Sequence, residues 1–445
     1  MMGIRTTLRF GATTFVLGAM SWACTDVPTT APIIVEPPAQ MRSVEADVEI
    51  QNAQRTPLQD GIVHYTYDLV LGPGPFDVVR LHRIVRERAV NDRAPSIEGV
   101  FLLPGAPNSW IQIFVEPLIS DVPPRDQSVA IFLAENGVDV WGIDYAWAQV
   151  PLETTDFGFM AGWGVQKDVD FAYEALKVAR SIRVSTGQGN GRLHVLGFSY
   201  GVPIAYGLAG KETQLPPGQR VVKGIIPIDY ELKFEDPARR AKACANAERD
   251  QGIVDSGTYE DGSFVPLLPL AALAESTPDA PSPVPGLSVL QFIWYATTGF
   301  VGQYVDASGI PVGLRFTEPT LWLHVLQNTR PYWPLQAGVD LKLARCETGT
   351  DVPFDDHLGE ITVPILNVGS AGGTGMAGNY TASLTATRDF ESFVVRTLSD
   401  DERMYDFGHA DLFTARDAEA RVWRPILEWL LDRRENRTFP AEPNG

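Results

Sequence analysis

Cysteine is scarce in this chain: three in 445 residues, at positions 24, 244 and 346. That is too few for a disulfide-built scaffold and too dispersed for a zinc motif. Histidine numbers only six, and neither a metal-ligand spacing nor a glycine-rich phosphate loop is found, so no metal and no other cofactor is expected. Basic residues are outnumbered, 36 against 55 acidic, for a formal charge of −19. They form nothing larger than pairs such as Arg239-Arg240 and Arg433-Arg434, which argues against nucleic acid as a partner. Past the N-terminus no apolar run reaches the ~18 residues of a membrane-spanning helix. What remains is a globular composition, 44% hydrophobic and 20% charged, long enough for one large domain carrying an insertion.

The first 23 residues place Arg5 and Arg9 before an apolar run from Phe10 to Ala23, the pattern of a bacterial export signal. Ser21-Trp22-Ala23-Cys24 leaves two readings open: cleavage after Ala23, or cleavage before a lipid-modified Cys24 that attaches the protein to a membrane. The second resembles a lipoprotein signal, although Ser21 stands where such signals usually carry Leu. Residues 24–45, with Pro28, Pro32, Pro37 and Pro38, read as an extended tether. The expected location is therefore periplasmic, extracellular or lipid-anchored at the cell envelope. In such a compartment Cys244 and Cys346 are expected to pair, closing a loop of about 100 residues that contributes on the order of 4–5 kcal/mol; two unpaired buried thiols are the alternative.

Beyond the tether, Ile62–Leu71 and Val78–Val85 are β-rich runs separated by Gly72-Pro73-Gly74-Pro75 and predict an antiparallel pair. Strands are then expected at Gly99–Leu103, Val138–Asp144, Leu193–Phe198 and Val222–Asp229, with helices over Asp126–Asn136 and Gln166–Arg183. Such alternation builds a mostly parallel sheet with helices on both faces. The rhythm stops over 231–358, a Pro- and Trp-rich stretch with helical segments at Leu287–Phe300 and Leu321–Gln327, and resumes with Ile361–Val368, Phe393–Arg396 and a closing helix from about Arg416 to Arg433. The division expected is a core over 46–230 and 359–445, with a largely helical cap inserted at 231–358.

Chemistry concentrates at Gly197-Phe198-Ser199-Tyr200-Gly201. Gly-x-Ser-x-Gly alone is a weak signal, but an apolar strand runs into it and a helix leaves it, the setting in which a tight turn lifts a serine hydroxyl above a sheet. With Leu133-Ala134-Glu135-Asn136-Gly137 before Val140-Trp141-Gly142-Ile143-Asp144, and Gly408-His409-Ala410-Asp411-Leu412 near the end, the chain resembles the α/β-hydrolase superfamily. Within it, the likeness is to bacterial secreted serine esterases and lipase-like enzymes with a helical cap, covering about Ile62 to Ile426 apart from the insertion.

That resemblance implies the α/β-hydrolase fold and a carboxylic ester hydrolase working through an acyl-enzyme. Ser199 would be the nucleophile and His409 the base. Many relatives place an Asp after the strand matching Val363–Val368, yet here Gly369-Ser370-Ala371-Gly372-Gly373-Thr374-Gly375 follows; Asp229, one strand earlier, matches the alternative acid position. Asp400, Asp401 and Asp406 lack a strand-end position, and Asp411 is read as ordering the histidine loop or starting the final helix. The expected oxyanion-hole donors are Tyr200 and either Ala106 or Gly105. His194 reads as a core residue. Asp144, Tyr145 and Trp294 are candidate pocket residues, although a carboxylate bonding local backbone explains Asp144 equally well. The expected substrate is a small-molecule or lipid ester, and oligomeric state is open. A peptidase, thioesterase or polyester depolymerase would use the same residues, and a non-catalytic binding protein is the reading from another class.

Overall fold

The computed structural model describes residues 33–34, 48–124, 127–346 and 352–434. The leader, Cys24 and nearly all of the tether lie outside them. At the centre is an eleven-stranded sheet, whose longer members are β1 (Glu49–Gln59), β2 (Ile62–Val70), β3 (Val78–Ala89), β4 (Glu98–Leu103), β5 (Val138–Asp144), β6 (Leu193–Phe198), β7 (Val222–Ile228), β8 (Ile365–Ser370) and β9 (Phe390–Val395). Their spatial order is β1-β2-β3-β5-β4-β6-β7-β8-β9. β1 to β3 run antiparallel and β3 meets β5 antiparallel; from β5 to β9 every pairing is parallel.

The parallel strands are continuous apolar runs because both their faces are covered. Along β4, Val100 and Leu102 join one core while Phe101 and Leu103 join the other. On the first face lie α1 (Val129–Glu135) and the closing α9 (Arg424–Asp432), and on the second α2 (Val165–Ser185) and α3 (Gly201–Thr213). Ser128 starts α1 by accepting from Ile131 N–H at 3.1 Å, a cap that satisfies one orphan donor. Strand ends on the β4-to-β9 side thus deliver Ser199, Asp229 and the loop after Leu103 to one edge, as expected for an α/β sheet.

Four expectations need correction. β1 went unrecognised because its sequence is polar: only Ala53 and Arg55 are buried along it, so no apolar alternation marks it, and a bulge at Asn52 (φ 48°) breaks its register. The strand expected at Ile361–Val368 begins at Ile365 and that expected at Phe393–Arg396 begins at Phe390. The closing helix is not continuous from Arg416: a π turn over Glu419–Trp423 precedes α9, because Pro425 cannot donate into an ongoing α-helical ladder.

The fourth correction concerns the insertion. Between β7 and β8 the chain forms α4 (Pro237–Asp255), α5 (Leu267–Ser276), α6 (Val289–Ala296), α7 (Pro319–Gln327) and α8 (Leu335–Cys346), with two short β ribbons. α4, α5 and α8 carried no expectation. α4 buries only Ala243, Ala247, Asp250 and Val254, a narrow small-residue face with little apolar periodicity. Cys244 on α4 and Cys346 at the end of α8 form a disulfide, tying together two helices that pack on one another.

Candidate active site

β6 ends at Phe198, Ser199 takes φ 51°, and α3 begins at Gly201. Left-handed backbone costs a non-glycine residue about 1–2 kcal/mol, so the neighbours must hold it. Ser199 N–H donates to the Ile228 carbonyl at 3.0 Å, and the Ser199 carbonyl accepts from Val202 N–H at 2.9 Å. Both glycines are required by close approach: a Cβ on residue 197 would stand 2.2 Å from the Gly201 carbonyl oxygen, and one on residue 201 would stand 2.2 Å from that of Leu103. Ser199 itself stays partly exposed.

Asp229 follows β7 and is the second turn residue with positive φ, 50°. Its N–H donates to the Val368 carbonyl at 2.7 Å, which aims the side chain across β8. There the glycine-rich stretch replaces the expected carboxylate with donors. Oδ1 accepts from Ser370 N–H (2.8 Å), Thr374 N–H (3.1 Å) and Thr374 Oγ1 (2.9 Å). Oδ2 accepts from Ser370 Oγ (2.9 Å) and lies 2.7 Å from His409 Nδ1. A Cβ at residue 373 would sit 2.1 Å from Oδ2, so glycine there is what lets the loop wrap the carboxylate. Burial disfavours the charged form, but the His409 hydrogen bond and charge, with Ser370 and Thr374, hold Asp229 below the usual carboxylate range.

His409 is presented by a loop that the cap clamps. Its N–H donates to Gly299 O at 2.9 Å, and Ala410 N–H to Phe300 O at 2.7 Å. The imidazole lies 4.5 Å from the Phe198 ring and 5.8 Å from that of Phe300, beside the residue that precedes Ser199. Asp411 is buried and accepts from Gly302 N–H (2.6 Å), Gly408 N–H (2.8 Å) and Thr317 Oγ1 (2.5 Å). It orders the histidine loop, one of the two roles its position left open. Asp406 likewise serves the Thr397, Leu398 and Phe407 amides.

Of the expected oxyanion donors, Tyr200 caps the start of α3, and Gly105 passes so close that a Cβ there would be 2.8 Å from Ser199 Cβ. Among the described residues, the backbone N–H groups of Tyr200 and Ala106 have no acceptor. Of the candidate pocket residues, Asp144 bonds local loop backbone, the alternative that its position left open. Asp144 is buried with one oxygen on Trp110 N–H, Tyr145 donates to the Pro104 carbonyl at 3.2 Å, and Trp294 is buried within the cap. The polar groups of Asp144 and Tyr145 are thus engaged. His194 is fully buried against Trp429, its pKa driven down by burial. Among the described residues no group of His, Cys, Asp or Glu could hold a metal ion.

One residue that sequence reasoning missed is Asp168 on α2. It accepts from the Tyr200 hydroxyl at 2.6 Å and from Trp147 Nε1 at 3.2 Å, anchoring the residue next to Ser199 from behind. Its spacing resembles any helical carboxylate, so nothing in the sequence marked it. Burial, opposed by Tyr200, Trp147 and Lys167, pushes its carboxyl up to about 7, against about 4 in an unfolded chain. The folded protein keeps a proton that the unfolded chain releases, so this stability is complete below pH ~4 and is lost as pH rises through 7, about 4 kcal/mol in all. Urea unfolding of the native protein and Asp168→Asn at pH 4.5 and 8.5 should show the native protein's stability falling relative to the variant as pH rises. A pH-independent difference would mean that Asp168 does not titrate in this window.

Sheet order, left-handed turn residue and histidine loop together define a hydrolase-type α/β sheet with a capped site. The chain has the α/β-hydrolase fold: a candidate lipase from Sulfolobus solfataricus superposes with a TM-score of 0.62 at 21% identity, covering 87% of this chain and all of that one. A hypothetical protein from Pseudomonas aeruginosa gives 0.47 at 12% identity over 85% and 96% of the two chains. A soluble variant of monoglyceride lipase from Saccharomyces cerevisiae gives 0.42 at 12% identity over 88% and 98%. No family model and no curated protein sequence matches this chain.

Proposed function

We propose that the protein is an exported serine hydrolase that cleaves carboxylic esters. The observation that carries the reading is the contact of His409 Nδ1 with a buried, multiply bonded Asp229 carboxylate at 2.7 Å, beside a serine held at φ 51°. Asp229 accepts a hydrogen bond from His409 Nδ1–H and so keeps Nε2 free to accept a proton. Ser199 Oγ attacks the ester carbonyl carbon while His409 Nε2 takes the hydroxyl proton. The tetrahedral oxyanion is met by the Tyr200 N–H at the positive end of α3 and by an N–H of the Gly105-Ala106 loop. His409 then gives its proton to the departing alkoxide, and water, activated by the same base, releases the acid and regenerates Ser199.

The ester class is favoured by the fold's likeness to a candidate lipase, and a small-molecule or lipid ester is the substrate proposed. Export rests on the N-terminal pattern alone, with Cys24 as the candidate anchor. The binding-protein reading rested on the missing carboxylate after Val368; in its place the loop supplies donors to Asp229, which weakens that reading.

A fluorophosphonate probe tests the nucleophile, and a panel of 4-nitrophenyl esters of rising acyl length beside aminoacyl anilides tests the bond cleaved. The expected result is stoichiometric labelling and ester turnover at least ~100-fold faster than anilide turnover, a preference of about 3 kcal/mol. Failure to label, or faster anilide cleavage, would overturn the respective part.

A further inference from the structure

We infer that Asp144 is a positioning residue for the oxyanion hole: its carboxylate fixes the Pro104–Ser109 loop through the main chain of Trp110, with His82 and His64 stacked behind it. The inference rests on the serine hydrolase reading, because the loop matters only if Gly105-Ala106 supplies an oxyanion donor.

The loop leaves β4 at Leu103 and ends at Trp110, the first residue of a short helix. Two consecutive residues at the end of β5 hold its two ends. Tyr145 donates its hydroxyl to Pro104 O at 3.2 Å, and Asp144 Oδ1 accepts from Trp110 N–H at 2.5 Å. In between, Arg330 N–H donates to Pro107 O and Asn108 N–H to Gly105 O, both at 2.9 Å. The loop is therefore pinned at start, middle and end, and among the described residues Asp144 is the pin that bonds through a carboxylate.

Trp110 is itself wedged. A Cβ on Gly142 would fall 2.0 Å from its indole nitrogen, and its ring stacks on His82 at 4.7 Å and on His64 at 5.9 Å. Asp144 Oδ2 lies 3.2 Å from His82 Nε2, an oblique polar contact rather than an aligned hydrogen bond. His82 Nδ1 lies 2.9 Å from His64 Nε2. All four side chains are buried. Burial disfavours the Asp144 carboxylate, yet His82, the Trp110 N–H and Arg330 hold it below the usual range, so the pin is an anion at neutral pH. Burial, with the neighbouring His82, keeps His64 neutral.

Burying a carboxylate costs several kcal/mol unless its partners compensate. Here the partners are one N–H at the loop's end and a stacked histidine pair, and Asp144 has no contact with Ser199, Asp229 or His409. Its effect is on where the loop's N–H groups stand. An oxyanion donor acts only within about 0.5 Å of its productive position, and losing one costs about 10²–10³ in kcat. Displacing one should cost less.

Asp144→Ala, which removes the oxygen that Trp110 N–H donates to, is the test, assayed with 4-nitrophenyl butyrate and with its thionoester analogue, whose developing sulfur anion is a poor hydrogen-bond acceptor. The oxygen ester should lose about 10–100-fold in kcat with KM within threefold, while the thionoester changes by less than about threefold. His64→Phe keeps the stack on Trp110 but removes the contact to His82, and should shift the oxygen-to-sulfur ratio in the same direction by about 2–10-fold. Equal losses on both esters, or no loss, would overturn the inference. If Asp144→Ala does not fold, an unchanged ratio in His64→Phe does the same. A native protein inactive on both esters would instead bring down the hydrolase reading and the inference with it.

Discussion

Ser199→Ala is expected to lower kcat/KM for the best ester by roughly 10⁴–10⁶-fold and to abolish fluorophosphonate labelling. The magnitude follows from the nucleophile acting as part of a unit: with Oγ gone, His409 has no proton to take and the oxyanion-hole donors no covalent intermediate to stabilise, so what remains is orientation of substrate beside water. Stability should barely move. The turn's strain resides in a backbone held by Ile228 O and by Val202 N–H, not in the hydroxyl, so alanine keeps the same φ and the same contacts. Unfolding in urea should therefore agree with the native protein within about 0.5 kcal/mol. Undiminished turnover or labelling in this variant would remove Ser199 from the chemistry and, with it, the proposed function.

What the sequence made legible was local. Gly197, Ser199 and Gly201 announce themselves as a motif within five residues; the 2.2 Å contact of Gly197 with the Gly201 carbonyl is the physical content of that spacing, whereas the 2.2 Å contact of Gly201 is with Leu103 on a neighbouring strand. His409 was legible through its place between the last strand and the last helix. Asp229 was legible only through the family resemblance, as the residue at the alternative acid position, since its qualification is not its neighbours in sequence but donors from residues 370 and 374, more than 140 positions away. The Gly369–Gly375 stretch looked like a missing acid; in three dimensions it is the cradle of one. The contacts of Asp144, Tyr145 and Asp168 were hidden for the same reason. Their partners, Trp110, Pro104 and Tyr200, lie 32 to 41 residues away, and only the sheet brings them together. α4 was missed on other grounds: a helix that buries alanines on one narrow face and earns its place by packing on α8 has little hydrophobic rhythm to read.

The Asp229 cradle also fixes what a conservative change there should do. Asp229→Asn keeps shape and volume but offers one acceptor oxygen and one NH₂ where the native carboxylate offers two acceptors. If the amide oxygen takes the Oδ1 position, the Ser370 and Thr374 N–H bonds survive and the NH₂ faces His409 Nδ1; if it takes the Oδ2 position, the NH₂ meets two backbone N–H groups. The first arrangement has fewer conflicts and is the one expected. An amide donating to Nδ1 forces the His409 proton onto Nε2, the nitrogen that must accept from Ser199, so kcat should fall by about 10³–10⁴-fold with KM little changed. Stability adds an independent check. Because the folded-state pKa of Asp229 is held below its unfolded value, the carboxylate contributes stability that is present above the unfolded pKa of about 4 and is lost as pH falls through the folded value. The variant should thus be less stable than the native protein at pH 7, and the gap should narrow below pH 4. Activity within tenfold of native would mean that a different carboxylate serves His409. A collapse of activity with the pH-dependent gap absent would mean that Asp229 acts in catalysis without the charged, hydrogen-bonded state on which its role depends.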